Sequence, residues 1–165
     1  MLAQQHTPTT MAKKRTDTEL QEASNHLLNY EFSMLMSVAQ ALKSGIAIQG
    51  WLHYALLESF LIHGRILIDF FYPPKSSRPD DVLASDYFDD IGDWGKIRPT
   101  RSEGLDRVKK RADKELAHLT YVRLDVTTET KGWDFIEIAN EIQRLMEIFL
   151  KKVPKSRLCS QVEHH

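Results

Sequence analysis

The stretch "WLHYALLESFLIHGRILIDFFYPP", residues 51–74, decides the fold class. Apolar side chains occupy nearly every face of a helix running from about Ile48 to Tyr72, and Pro73-Pro74 ends that helix. Its ionisable residues are His53, Glu58, His63, Arg65 and Asp69. A membrane-spanning helix rarely holds so many ionisable groups. A helix that is apolar nearly all round is normally the buried, central helix of a bundle, so we predict a central helix here.

Three further helices are predicted from the same kind of periodicity. Apolar residues recur every three, four or seven positions in about Asp17–Lys43, Ser102–Leu124 and Trp133–Val153. The connection over residues 73–100 is long enough to need structure of its own, and "DDVLASDYF", residues 80–88, predicts a short helix within it. The sequence therefore predicts an all-α fold, an up-and-down bundle of four long helices with a short helix between helices two and three.

Helix starts are predicted from capping residues. Thr16 or Asp17 precedes the first apolar stripe, and Gly45 follows its end. Thr100 and Glu103 have the spacing of a capping box, which predicts the start of the third long helix.

Length and composition indicate one soluble domain. The 165 residues divide into a predicted disordered tail over 1–16, a single helical domain over 17–153 and a flexible tail over 154–165. The only cysteine, Cys159, excludes an internal disulfide. The N-terminus lacks the apolar core of a secretory signal, so we expect a cytoplasmic protein without membrane contact. The net charge of −1 argues against strong non-specific binding to nucleic acid.

Charged residues on the central helix predict a polar seam in the core. Glu58, Arg65 and Asp69 fall on one narrow strip of that helix, where Arg65 and Asp69 can pair at i,i+4. Arg123 projects toward the core if the third helix extends that far, and a buried guanidinium needs a carboxylate. The seam is interpreted either as a structural network that fixes helix register or as support for a functional site.

A second constellation lies on the third long helix. Arg111, Glu115 and His118 share a narrow arc that flanks the apolar seam. They are either an ordinary charged border, with Arg111–Glu115 as an i,i+4 pair, or a working pair at a crevice. Residues 96–123 carry nine basic and four acidic side chains, so this helix could attract phosphate or the acidic connection before it. No P-loop, GxGxxG, CxxC or HExxH motif is present, and we expect no metal and no cofactor.

The segment "RADKELAH", residues 111–118, resembles the HEPN superfamily, in which an arginine and a histidine with four to six residues between them lie late in a small all-α bundle. The segments "ESFLIHGRILIDFF", residues 58–71, and "ELAHLTYVR", residues 115–123, are similar to segments of bacterial proteins with HEPN-like helices. The resemblance covers most of residues 17–153. It implies a helical bundle that forms a homodimer with two motifs facing one cleft.

The resemblance also implies metal-independent endoribonuclease activity of the kind found in toxin–antitoxin and phage-defence systems. Arg111 would hold a phosphate and His118 would move a proton. The implied supporting network is Glu58, Arg65, Asp69 and Arg123. Ala112 stands where catalytic members carry a polar residue, so the alternative is a non-catalytic, antitoxin-like or partner-binding helical module. A third hypothesis is a ligand pocket between helices two and three.

Overall fold

The computed structural model describes residues 14–45, 50–113 and 134–159, and its fold is all-α. The described α-helices are α1 (Asp17–Ala23), α2 (Asn29–Lys43), α3 (Trp51–Phe71), α4 (Asp93–Ile97), α5 (Glu103–Arg111) and α6 (Phe135–Lys152). A π-helical turn over Ser24–Leu28 joins α1 to α2, and single 3-10 turns cover Ala84–Tyr87 and Lys155–Arg157. Within these ranges no helix is both long and apolar enough to cross a membrane.

The first predicted helix is confirmed as one continuous rod from Asp17 to Lys43. Thr16 caps it: its hydroxyl accepts a hydrogen bond from Glu19 N at 3.2 Å, and the Glu19 carboxylate accepts one from Thr16 N at 2.7 Å. These two bonds satisfy amide groups that have no partner inside the helix. Gly45 follows with a φ of +72°, the left-handed conformation that ends many helices.

α3 is central only over its second half. From Phe60 onward it packs against α2, α5 and α6, and its largest apolar side chains there, including Phe60 and Phe71, are buried. The first half is different, because Trp51 is 81% exposed and Tyr54 is 51% exposed. The prediction of a buried, central helix is therefore wrong for the side of this first half that carries Trp51 and Tyr54, whereas Leu56 and Leu57 pack against the core.

Aromatic rings fill the core between the end of α3 and the long connection. Phe149 of α6 lies 5.3 Å from the rings of Phe70 and Tyr87 and 5.7 Å from that of Trp94, measured between ring centroids. The Trp94 indole N–H donates to the Phe71 carbonyl at 2.8 Å, which satisfies a carbonyl at the end of α3. The predicted short helix is only the 3-10 turn over Ala84–Tyr87, and α4 was not predicted.

The last two long helices begin close to their predicted starts. The capping box of Thr100 and Glu103 is not formed. Ser102 caps α5 instead, with its hydroxyl accepting from Leu105 N at 3.1 Å. The prediction that this helix continues to Leu124 lies partly outside the described residues. α6 begins after Asp134, whose carboxylate accepts from Glu137 N at 3.0 Å.

The chain after α6 packs on the domain through residue 159, where the sequence predicts a flexible tail. The Arg157 guanidinium contacts Asp17 at 2.9 Å and Asp89 at 2.5 Å, and it donates to the Tyr87 carbonyl at 3.0 Å. Leu158 is buried. One arginine thus ties the start of α1, the long connection and the end of the chain together, through partners that are far apart in sequence.

Candidate functional site

The polar residues of α3 pair with α5 and not with each other. Arg65 Nε lies 2.7 Å from Asp113 Oδ1, and Lys109 Nζ forms an ion pair with Asp69. The predicted i,i+4 pair of Arg65 and Asp69 is replaced by these two interhelical pairs. Lys109 and Asp113 were missed from the sequence. The sequence does contain a signal for these two pairs. Arg65 and Asp69 are four residues apart on α3, and Lys109 and Asp113 have the same spacing at the end of α5, so each residue faces an opposite charge when the two segments run antiparallel.

The predicted seam is therefore shorter than the sequence indicates. Glu58 is exposed on the first half of α3 and does not join the pairs that Arg65 and Asp69 make. Arg123 lies outside the described residues. Both remaining pairs are partly open to solvent, so their Coulomb attraction is screened and each stabilises the fold only modestly.

An apolar groove of about 560 Å³ opens beside these pairs. We define this groove by Leu27 from the π-helical turn, Ile62 and Ile66 from α3, and Val82 from the connection, which line its walls. Leu27 is 51% exposed and Ile62 is 49% exposed, so the groove is open to solvent. Its polar lining residues are Glu31, Arg65, Asp69 and Asp81. The volume is within the range of small-ligand sites, and the lining is mainly apolar with a few charged groups.

Glu31 and His63 form a buried pair next to the apolar groove. His63 Nδ1 lies 2.6 Å from Glu31 Oε2, and the edge of the Tyr30 ring faces the imidazole at a centroid distance of 5.8 Å. His63 is a hydrogen-bonded core residue, because only 9% of the whole residue is exposed. The carboxylate fixes the orientation of the ring and joins α2 to α3.

Arg111 faces a different groove. A charged groove of about 640 Å³ lies between α5 and α6, and we define it by Arg107, Arg111, Glu137 and Glu141. Among the described residues that line it, four carboxylates (Glu103, Asp134, Glu137 and Glu141) outnumber two guanidiniums. The described lining of this groove therefore carries a net negative charge, which opposes the approach of a phosphate.

The structure separates the predicted catalytic arginine from its predicted supporting residues. Ala112 lines the apolar groove together with Arg65 and Asp69, whereas its neighbour Arg111 lines the charged groove. Successive residues of a helix point about 100° apart, which explains why adjacent positions serve different grooves. Glu115 and His118 lie outside the described residues, so the predicted pairing of Arg111 with His118 stays a prediction.

Comparisons of the chain with protein-family models, with curated proteins and with solved structures found no match.

Proposed function

We propose that this protein is a helical interaction module that pairs with a second copy of itself through the face formed by α2 and α3. The observation that carries this proposal is the exposure of large apolar side chains on that face. They are Leu27, Tyr30, Trp51, Leu52, Tyr54, Ile62 and Ile66. Monomeric soluble proteins rarely leave large contiguous apolar patches in water, and such patches usually mark interfaces.

The exposed residues of α3 have the spacing of a helix–helix contact. Trp51, Ala55, Glu58 and Ile62 follow one another at intervals of four, three and four, and all four are exposed. This spacing forms one stripe along the helix, of the kind that packs against a second helix. Leu27 borders the stripe, because it lines the same groove as Ile62.

Charge complementarity favours a second copy as the partner. In a two-fold symmetric contact, two antiparallel α3 helices would cross at Ile62. Glu58 lies about 6 Å before Ile62 along the axis and Arg65 about 4.5 Å after it, at ~1.5 Å per residue. Glu58 of each copy would then meet Arg65 of the other, and Arg65 has 42% of its side chain exposed. This contact would place a positive charge next to the Glu58 carboxylate on the stripe.

The test is the molar mass in solution, measured by light scattering during size-exclusion chromatography. We expect twice the 19.1 kDa of one chain for the wild type, and the monomer for Ile62→Glu. The matched control is Ile91→Glu, because Ile91 is an equally apolar side chain that is 68% exposed and belongs to the connection, not to α2 or α3. Glu58→Arg should weaken the dimer, because it sets a second positive charge against Arg65 at the proposed contact. A monomeric wild type at about 100 µM, well above the Kd of a micromolar dimer, would refute the proposal.

A second candidate function is metal-independent RNA cleavage by Arg111 and His118. The observation that favours it is the position of Arg111 at an open groove, in a last helical turn of α5 that also contains Lys109 and Lys110. Arginine can hold a phosphate through two hydrogen bonds, and histidine can transfer a proton near neutral pH. The carboxylates of the charged groove would limit affinity for RNA, so binding should be weak and should fall further with salt.

This activity is tested by incubating the purified protein with mixed RNA in the presence of EDTA. We expect cleavage by the wild type and a loss of about 10²- to 10⁴-fold in Arg111→Ala and in His118→Ala. Lys110→Ala is the control, because it removes a neighbouring exposed positive charge from the same helix. Cleavage that His118→Ala leaves unchanged would assign the activity to a contaminant or to other residues.

A further inference from the structure

Two arginines lie against one tyrosine where α3 ends and α5 begins. Arg98 Cζ is 4.8 Å from the centroid of the Tyr72 ring, and Arg101 Cζ is 5.8 Å from it. Both distances are within the range of cation–π attraction. Two positive charges therefore lie close together at one ring, and the Asp106 carboxylate offsets part of the charge of Arg101. Neither arginine was predicted from the sequence to have a functional role.

The segment that carries these arginines is held firmly. Arg98 Nη1 donates to the Phe71 carbonyl at 2.6 Å, which satisfies a carbonyl at the end of α3. The Tyr72 hydroxyl donates to the Pro99 carbonyl at 3.0 Å. Arg101 Nη2 contacts Asp106 Oδ1 at 2.5 Å. Each guanidinium keeps further N–H groups beyond these contacts, because a guanidinium has five.

The ring and the two arginines border a cleft of about 450 Å³, which we call the tyrosine cleft. Its lining includes Tyr72, Gly95, Arg98, Thr100 and Arg101, and no carboxylate belongs to the described lining. Burial raises the pKa of the Tyr72 hydroxyl above its usual value, and Arg98 and Arg101 oppose that rise while Glu141 adds to it. Tyr72 is therefore neutral at physiological pH and adds no negative charge.

We propose that the tyrosine cleft binds the phosphate group of a small phosphate monoester. The fork of a guanidinium matches phosphate oxygens through two parallel hydrogen bonds, and the Thr100 hydroxyl is a further donor on the cleft wall. The volume leaves room for a small organic group beside the phosphate. The tyrosine ring already faces the guanidiniums, which favours a compact ligand over a stacked base. This inference is independent of the dimer and of RNA cleavage.

Isothermal titration of the full chain with inorganic phosphate, in a chloride buffer, tests the proposal. We expect saturable binding with a Kd of about 1 mM, and a Kd raised about tenfold in Arg101→Gln through the loss of one charge-assisted contact. Lys96→Gln is the matched control: it removes the same charge from an exposed residue near Gly95, outside the described lining, and should leave the Kd unchanged. Arg101→Lys keeps the charge without the fork, should fold like the wild type, and should also weaken binding.

Two further titrations identify the source of the phosphate. A nucleoside monophosphate should bind at least as tightly as inorganic phosphate, and a short RNA without terminal phosphates should bind more weakly than either. The absence of saturable phosphate binding up to about 20 mM, a Kd well above the expected millimolar range, would overturn the proposal. So would equal weakening by Arg101→Gln and Lys96→Gln. Binding of the RNA alone would also overturn it, in favour of a strand-binding surface.

Discussion

His63 Nδ1 and Glu31 Oε2 lie 2.6 Å apart and join the two helices that carry the exposed apolar face. Both groups are largely withdrawn from solvent, with 11% of the His63 side chain and 19% of the Glu31 side chain exposed. A hydrogen bond in this position holds α2 and α3 at one spacing. Leu27 lines one groove with Ile62 and Ile66, and the Tyr30 ring packs on His63, so the pair supports the face proposed for self-association.

Replacing His63 by alanine should lower the free energy of unfolding by about 1–3 kcal/mol, because the Glu31 carboxylate is left buried without its partner. Urea denaturation followed by circular dichroism measures the effect. Glu22→Ala removes an exposed carboxylate of α1, outside the face proposed for self-association, and should change the value by less than ~0.5 kcal/mol. Equal effects of the two substitutions would show that the pair does not stabilise the domain.

The ion pair of Lys109 and Asp69 should contribute about 1 kcal/mol, since both side chains are partly buried between α3 and α5. We expect Lys109→Met to destabilise the protein and Lys110→Met, on the exposed side of the same helix, to have little effect. A double-mutant cycle with Asp69→Asn separates the pair from the other contacts of each residue. A coupling energy near zero would show that the ion pair of Lys109 and Asp69 does not stabilise the fold.

Phe149 lies at the centre of the aromatic core, where the rings of Phe70, Tyr87 and Trp94 all pack against it. Phe149→Ala should cost about 3–5 kcal/mol through lost burial and the cavity left behind. Thermal unfolding measured by calorimetry tests this value. Phe135→Ala, at the half-buried start of the same helix, should cost clearly less.

The contact of Asp17 with Arg157 should make the stabilising effect of the segment after α6 depend on pH. The hydrogen bond from Arg157, with a second from Ser156, lowers the pKa of Asp17 below its ordinary 3.8. A carboxyl group whose pKa is lower in the folded than in the unfolded protein stabilises the fold at pH values above its pKa in the unfolded protein. This stabilisation disappears as the pH falls through its pKa in the folded protein.

Asp17→Asn should therefore lower the urea midpoint at pH 7, and the difference from the wild type should shrink when the pH falls to about 3 and below. Asp80→Asn, in the exposed connection, is the control. A difference that stays constant from pH 7 to the acid range would show that the charge on Asp17 does not act through Arg157.

The long helices could be predicted from the sequence, because the signals that define them are local. The apolar spacing from Asp17 to Lys43, the stop at Pro73 and the apolar stripe of α6 all act within a few residues of one another. The capping of α5 shows the limit of such signals. Thr100 and Ser102 each carry a hydroxyl that could accept from the backbone N–H three residues later, and only the path of the chain into the helix selects Ser102.

Only the tertiary structure decided which side chains meet across helices. Arg65 could pair within α3 or across to α5, and the antiparallel register of the two helices selects Asp113. The same packing leaves Glu58 in solvent and turns Arg111 toward α6, away from Arg65 and Asp69. The tyrosine cleft likewise depends on a meeting of two segments that are distant in the chain. Periodicity defines the face of each helix, whereas the crossing and register of helices arise from the packing of the whole core.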